Sequence, residues 1–326
     1  MNPVHSPDRT VCIAPMMGCT DRHARFFLRL MSNDVLLYTE MLTSAALIHG
    51  QADRLLAFDP CEKPVALQLG GSDPDELAIC ARLGVQKGYA EINLNVGCPS
   101  PRVKAGRFGA CLMHEPLLVA DCVAAMREAV KIPVTVKCRT GVDEKDSYED
   151  LQQFIETVHA AGCEVFILHA RKAWLQGLSP RENREIPPLC YETVYRIRED
   201  FPGLSIIING GIKTADDVKK HLQKVDGVMI GREAYSNPWL LADIAREIFQ
   251  HRADGFTRQA VIQNFLPYIK KQLASSVKLS TISRHISGLF HGQPGGRCFR
   301  RWLSEHAHRP DAGIEVIQQA LETLSL

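Results

Sequence analysis

The chain has 326 residues, 45% hydrophobic and 23% charged, with a net charge of +1; this is an ordinary globular composition, enough for one large domain plus a small one or for two mid-sized domains. No apolar run reaches the roughly 18 residues of a membrane span, and the stretch from Met1 to Asp8 lacks the apolar centre of a signal peptide, so a short frayed lead-in is expected there. The 11 cysteines include no Cys-x-x-Cys, which removes the main support for zinc-ribbon and thioredoxin-type readings and suits a reducing cytosol.

Eight strand-like runs recur along the chain, at residues 11–15, 35–39, 64–69, 90–95, 133–139, 164–170, 205–209 and 227–231. Most are rich in Val, Ile or Leu, as strands covered on both faces should be. Between them lie amphipathic segments with start signals. Ser72-Asp73-Pro74-Asp75-Glu76 opens one with an early Pro and acids in the first turn. Thr214-Ala215-Asp216-Asp217 opens another, and residues 116–130 and 149–161 carry helical periodicity. Eight βα units in roughly 250 residues predict a (β/α)8 barrel. An open doubly wound sheet would show a Gly-x-Gly-x-x-Gly fingerprint after its first strand, and none is present.

After about residue 250 the strand-like runs stop. Residues 256–276, 279–290, 298–307 and 312–324 read as helices, so the expected division is a barrel domain over 1–250 and a small helical domain over 251–326. The helical part has ten Lys or Arg against five Asp or Glu, a balance of +5, while the rest of the chain stands at −4. A basic segment beside an acidic body suggests a polyanion contact made mainly by one part.

The active site of a barrel sits at the C-terminal ends of its strands. The first strand delivers Pro15, Met16 and Met17, the third Gln68, the fourth Asn95 and Cys98, the fifth Lys137 and Arg139, the sixth His169 and Arg171, the seventh Asn209-Gly210-Gly211 and the eighth Gly231-Arg232. Gly97 and Pro99 bracket Cys98 on a turn just past a strand end, which makes it a thiol that is aimed and rigidly supported. The last two strand ends suit a phosphate: glycines let backbone N–H groups approach the anion, and Arg232 adds a charge-assisted bond. A lysine inside a barrel is costly unless it meets an anion or a carboxylate. With Gln68 and His169, Lys137 outlines a polar ring around a flat heteroaromatic cofactor, and flavin mononucleotide (FMN) fits.

Taken in order, Ala14-Pro15-Met16-Met17-Gly18, Gln68-Leu69-Gly70-Gly71, Asn93-Leu94-Asn95-Val96-Gly97-Cys98-Pro99, Val136-Lys137-Cys138-Arg139, His169-Ala170-Arg171, Asn209-Gly210-Gly211-Ile212 and Gly231-Arg232 resemble the tRNA-dihydrouridine synthases over nearly the whole chain. The resemblance implies an FMN enzyme that uses NADPH to reduce D-loop uridines of tRNA. It implies that Pro15, Met16, Met17, Gln68, Lys137, His169, Asn209, Gly210, Gly211, Gly231 and Arg232 hold FMN, that Cys98 is the catalytic acid, and that Asn95 sits beside it and touches RNA. The pairs Arg181/Arg184 and Arg297/Arg300, each three residues apart, resemble the binding signature of the A subfamily, which acts on uridines 20 and 20a. Arg139 and Arg171 join them as expected RNA contacts. Neither a membrane nor a metal is expected, and the expectation for the assembly is a cytoplasmic monomer.

Saturating the uracil C5–C6 bond needs a hydride at C6 and a proton at C5. An ordinary thiol, with a pKa of about 8.5, is mostly protonated at neutral pH, as a general acid must be. The base must leave its stack, which is cheapest from a loop. Lys137 or Arg139 is positioned to stabilise charge on a uracil oxygen, and the loop over 104–109 is a candidate lid. Two alternatives stay open on sequence: an FMN-dependent dehydrogenase of a free pyrimidine, and a non-catalytic tRNA-binding flavoprotein.

Overall fold

The computed structural model describes residues 6–251 and 255–325, so most of the expected N-terminal lead-in, residues 1–5, lies outside the described residues. The described residues divide into two compact units. One comprises those of Met1–Met17 with Val35–Ile212 and Asp216–Gly231; the other comprises Gly18–Asp34, Lys213–Ala215 and those of Arg232–Leu326.

The first unit is a closed barrel of eight parallel strands: β1 (Val11–Ile13), β2 (Leu36–Tyr38), β3 (Val65–Gly70), β4 (Glu91–Val96), β5 (Val134–Arg139), β6 (Val165–His169), β7 (Ser205–Asn209) and β8 (Gly227–Ile230). Each pairs with the next, and β8 returns to β1 with Met229 opposite Cys12, so the sheet closes on itself. The expected (β/α)8 architecture is therefore the observed one. A two-residue strand, Leu42–Thr43, adds to the end of β3; two residues carry no readable periodicity, and the sequence gives no sign of it.

The helices start and stop where side chains satisfy the end groups. Pro74–Lys87 begins at Asp73, whose carboxylate accepts the Glu76 N–H, and ends at Gly88 with φ of 88°. Tyr148–Ala160 begins in a reciprocal box between Ser147 and Asp150. Inside the barrel one sector is apolar: Cys12, Ala14, Leu36, Tyr38, Ala66, Val165, Ile167, Ile207 and Met229 form one buried cluster. The sector facing it along β3, β4 and β5 is polar, with Gln68, Glu91, Asn93, Asn95 and Thr135 all buried.

The second unit is helical: Arg22–Arg29, Arg232–Ser236, Leu240–Glu247, Arg258–Ala274, Leu279–Ser283, Gly296–His306 and Glu315–Glu322. Phe26 stacks on Tyr268 with ring centroids 3.8 Å apart, and Phe27 packs on Phe265 at 5.3 Å. These contacts draw the early segment Gly18–Asp34 into the helical unit, alongside Lys213–Ala215 and the described residues from Arg232 on. Local periodicity cannot reveal a pairing across some 240 residues. The helix expected over 279–290 stops at Ser283 and continues as turns. Gly288 lies against the Ser236 carbonyl, where a Cβ would stand 2.5 Å from the oxygen, so that position needs glycine, a poor helix former.

Candidate active site

Cys98 is half-buried on the turn that leaves β4. The turn is fixed from one side by Asn95, whose Oδ1 accepts the backbone N–H of Gly97 at 3.2 Å and of Cys98 at 3.0 Å. From the other side Arg139 donates Nε–H to the Gly97 carbonyl at 3.1 Å. The Cys98 carbonyl in turn accepts the Ala110 N–H at 2.9 Å. The loop after Cys98 folds as the helix Pro101–Ala105, capped by the Ser100 hydroxyl.

Register explains which residues meet at the mouth. Asn95 stands opposite Lys137, Arg139 opposite His169, and His169 opposite Asn209. Lys137 donates Nζ–H to Asn209 Oδ1 at 2.9 Å, and Asn209 Nδ2 donates to the Met229 carbonyl at 2.7 Å. Burial, and then the nearby Arg139, lower the Lys137 ammonium to about 7. Burial followed by Arg139 and Lys137 holds His169 well below its ordinary range, so it is neutral at physiological pH. Cys98 lies within electrostatic reach of both Lys137 and Arg139. The mouth is thus a cluster of cationic and neutral donors around a thiol.

Gly210 and Gly211, at φ of 118° and 75°, form the turn after β7. A Cβ on Gly210 would meet His169 at 2.8 Å, and one on Gly211 the Tyr191 hydroxyl at 2.6 Å. Side chains are excluded by backbone angle and by space together. Gly231 follows β8 with open space where a Cβ would be, and Arg232, exposed, opens the next helix in the second unit. Pro15 and Met16 are half-buried after β1, while Met17 is 65% exposed. Gln68 is buried, with its side-chain oxygen accepting Asn95 Nδ2–H at 2.9 Å.

The arginines differ in what they do. Arg139 is buried, and beyond Gly97 it donates to the carbonyls of Lys172 and Asn183 at 3.1 and 3.0 Å. Arg171 donates to the Glu185 and Pro187 carbonyls. Both therefore brace the segment that carries Arg181 and Arg184, rather than pointing all their donors outward. Arg181 is 80% exposed, and Arg184 sits three residues on, at the end of a 3-10 turn, Glu182–Arg184; i and i+3 eclipse in such a turn and share one side. In the second unit Arg297 and Arg300 both lie on the helix Gly296–His306. Arg300 lines a cavity of about 260 Å³ with Arg284 and four serines.

Several participants are not expected from sequence: Arg9, Glu91, Asn93, Thr135 and Asn183. Asn183 is buried and binds the Trp174 backbone at both its donor and its acceptor, closing the braced segment. The signal for Glu91, Asn93 and Asn95 is present in β4, where every second residue is polar in a strand that a barrel must bury.

A family model described as "Dihydrouridine synthase (Dus)" matches residues 12–325. A tRNA-dihydrouridine(20/20a) synthase of Shewanella oneidensis is 57% identical over 317 residues, covering 97% of this chain and 94% of that protein. One of the same description from Vibrio cholerae is 58% identical over 310 residues, covering 95% and 94%. Another from Yersinia pestis is 56% identical over 320 residues, covering 98% and 92%. Among solved structures, a 2-naphthoyl-CoA reductase complex aligns with a TM-score of 0.57 at 10% identity, covering 73% of this chain and 50% of that one; at that identity the likeness is one of fold alone.

Proposed function

The chain belongs to the dihydrouridine synthase family, and from that membership we propose that it reduces the C5–C6 double bond of D-loop uridines 20 and 20a in tRNA, with FMN and NADPH and with Cys98 as the proton donor to C5. The observation that carries this reading is the thiol of Cys98 held on a doubly braced turn within reach of Lys137 and Arg139.

The site fits FMN on its own chemistry. Lys137 is an enclosed amine whose hydrogen bond goes to an amide oxygen, Asn209 Oδ1, so an anionic partner would stabilise its charged form. At Gly231 a Cβ would meet nothing within 4 Å, so the backbone there is open to close approach of a phosphate. Pro15, Met16, Met17, Gln68, Lys137, His169, Asn209, Gly210, Gly211 and Gly231 would hold the cofactor, with Arg232, the next residue in the chain, as a further cation for the phosphate. Bound there, FMN would supply hydride chemistry, with NADPH as its reductant.

The protein's own part is positional and acid–base. Hydride arrival at C6 leaves negative charge on the uracil C5–C4–O4 system, and the Cys98 S–H bond breaks as its proton goes to C5. The thiolate left behind faces two cationic groups, Lys137 and Arg139, which offset its charge. The four arginines 181, 184, 297 and 300 are read as phosphate contacts. A single-chain cytoplasmic protein is part of the same reading, in keeping with 11 free thiols.

The test is dihydrouridine formation in an unmodified tRNA transcript by flavin-loaded protein with NADPH, mapped to position. Product at 20 and 20a is the expected result, with Cys98→Ala lowering turnover about 10²- to 10⁴-fold, the usual contribution of a general acid. Product elsewhere in the D-loop refutes the positions, and no product from flavin-loaded protein refutes the reaction.

A further inference from the structure

A continuous chain of hydrogen bonds runs through the polar sector of the barrel from the Cys98 turn to its opposite end. Asn95 Nδ2 donates to Gln68 Oε1 at 2.9 Å, Gln68 Nε2 to Asn93 Oδ1 at 2.8 Å, and Asn93 Nδ2 to Thr135 Oγ1 at 2.8 Å. Thr135 Oγ1 donates to Glu91 Oε1 at 2.7 Å. Glu91 is fully buried at the first position of β4, where Tyr38 donates to Oε1 at 2.6 Å and Arg9 donates Nε–H to Oε2 at 2.7 Å. Asn95 lies four steps along the strand from Glu91, about 13 Å at ~3.3 Å per residue.

Every bond in this chain points the same way. A carboxylate only accepts, so Glu91 takes the Thr135 proton and leaves the Thr135 oxygen as an acceptor. That oxygen fixes Asn93 with its NH₂ toward Thr135 and its carbonyl toward Gln68. Gln68 is fixed likewise, and Asn95 must then turn its NH₂ to Gln68 and its carbonyl to the Cys98 turn. If the chain ran in reverse, the NH₂ of Asn95 would face the N–H groups of Gly97 and Cys98, donor against donor. The three amides could otherwise rotate by half a turn with little change of shape; the chain is held at both ends, by the N–H donors of the Cys98 turn and by the acceptor Glu91.

We infer that Glu91 is a positioning residue for Cys98, acting through Thr135, Asn93, Gln68 and Asn95 to present an acceptor to the Cys98 turn. It rests on the reading of Cys98 as the acid only for its effect on turnover; the effect on the turn stands apart from that reading. Tyr38 supplies an internal comparison. Its hydroxyl makes an equally short bond to the same Glu91 oxygen as Thr135, yet it is not on the path to Cys98.

The experiment compares Thr135→Val, Thr135→Ser and Tyr38→Phe in the flavin-loaded holoenzyme. It reads kcat and KM for tRNA, and independently the rate at which iodoacetamide alkylates Cys98, followed by peptide mass spectrometry. T135V is expected to lower kcat about 10- to 100-fold, the scale of a reacting group displaced by up to an ångström, with KM little changed and with an altered alkylation rate. T135S restores both readouts, and Y38F leaves both at wild-type values. Asn93→Leu breaks the next link and replaces T135V should that variant not fold. Wild-type kcat and alkylation in T135V, or the same losses in Y38F as in T135V, overturn the inference. If wild-type holoenzyme makes no dihydrouridine, the function has failed, and the alkylation rates alone still decide whether Glu91 sets the turn.

Discussion

Asn95 Oδ1 receives the backbone N–H of Cys98 at 3.0 Å while its NH₂ is engaged by Gln68 at 2.9 Å. The side chain that the family resemblance assigns to an RNA contact is thus already tied into the protein at both ends. Its effect on the reaction is expected to run through the geometry of the Cys98 turn. Asn95→Ala is expected to lower kcat about 10- to 100-fold, by displacing a reacting group, while KM for tRNA changes little. Asn95→Asp keeps the acceptor for the turn and falls between. A steady-state assay separates the cases, since loss of a direct RNA contact would move KM instead.

With Lys137 in its proposed place beside FMN, flavin affinity is expected to depend on pH. The lysine's folded-state value is lowered to about 7 from 10.5. Between those values the unfolded chain carries a proton that the folded apoprotein lacks, so apoprotein stability rises with pH across that window. An anion bound beside the amine restores the proton. Below about pH 7 it is already present; above, binding must take one up, and the dissociation constant for FMN is expected to rise about tenfold per pH unit. Quenching of flavin fluorescence from about pH 6.5 to 8.5 measures this. Lys137→Met is expected to bind more weakly and to show a flat profile over the same range.

The barrel is legible in the sequence because each strand is a short apolar run followed by a helix with its own start signal, and both signals are local. The strand-end residues follow from the barrel. What their polar groups bind does not follow, because Arg139, Arg171 and Asn95 choose partners in segments that only the closed barrel brings near. Arg9 and Glu91 are 82 positions apart, and no periodicity joins them. The same limit hides the place of Phe26 and Phe27, whose partners Phe265 and Tyr268 come at the far end of the chain.

Asp21 ties the helical unit together. It caps Arg22–Arg29 by accepting the N–H groups of His23 and Ala24, and it also accepts from His285 at 3.0 Å and Arg284 at 2.7 Å. Burial alone would raise this carboxyl; the hydrogen bond and charge of His285, then the Ala24 N–H and Arg284, outweigh it and hold it far below the usual range. A depressed carboxylate contributes stability that is fully present above its unfolded value of 3.8 and is lost as pH falls below it. Asp21→Asn is expected to destabilise the protein by about 2 kcal/mol, from a weakened cap and broken charge-assisted bonds. Urea unfolding at neutral pH measures the loss, and the gap between wild type and variant should close on acidification below about pH 4.

The two arginine pairs differ in how readily each releases its guanidinium to a phosphate. Arg181 has a competing carboxylate, Glu185, at 3.6 Å. Arg297 is exposed on its helix, and Arg300 faces a cavity whose walls, among the described residues, are Arg284, serines, His308 and apolar side chains without a carboxylate. Exposed pairs such as Arg181–Glu185 are worth at most about 1 kcal/mol, so the competition weakens Arg181 without silencing it. Reversing Arg297 and Arg300 together to Glu is expected to reduce the slope of log K against log salt by about 1.5, at roughly 0.7 to 0.9 for each phosphate that is no longer neutralised. KM for tRNA should rise while turnover at saturating tRNA holds, as expected of residues whose proposed contact is to phosphate alone. Reversal of Arg181 alone should change the slope less than reversal of Arg297 alone, since Arg181 begins partly neutralised. Filter binding across a salt series gives all three slopes. Unchanged slopes in the double variant would remove the helix Gly296–His306 from the RNA contact and leave its charge as ordinary solvated surface.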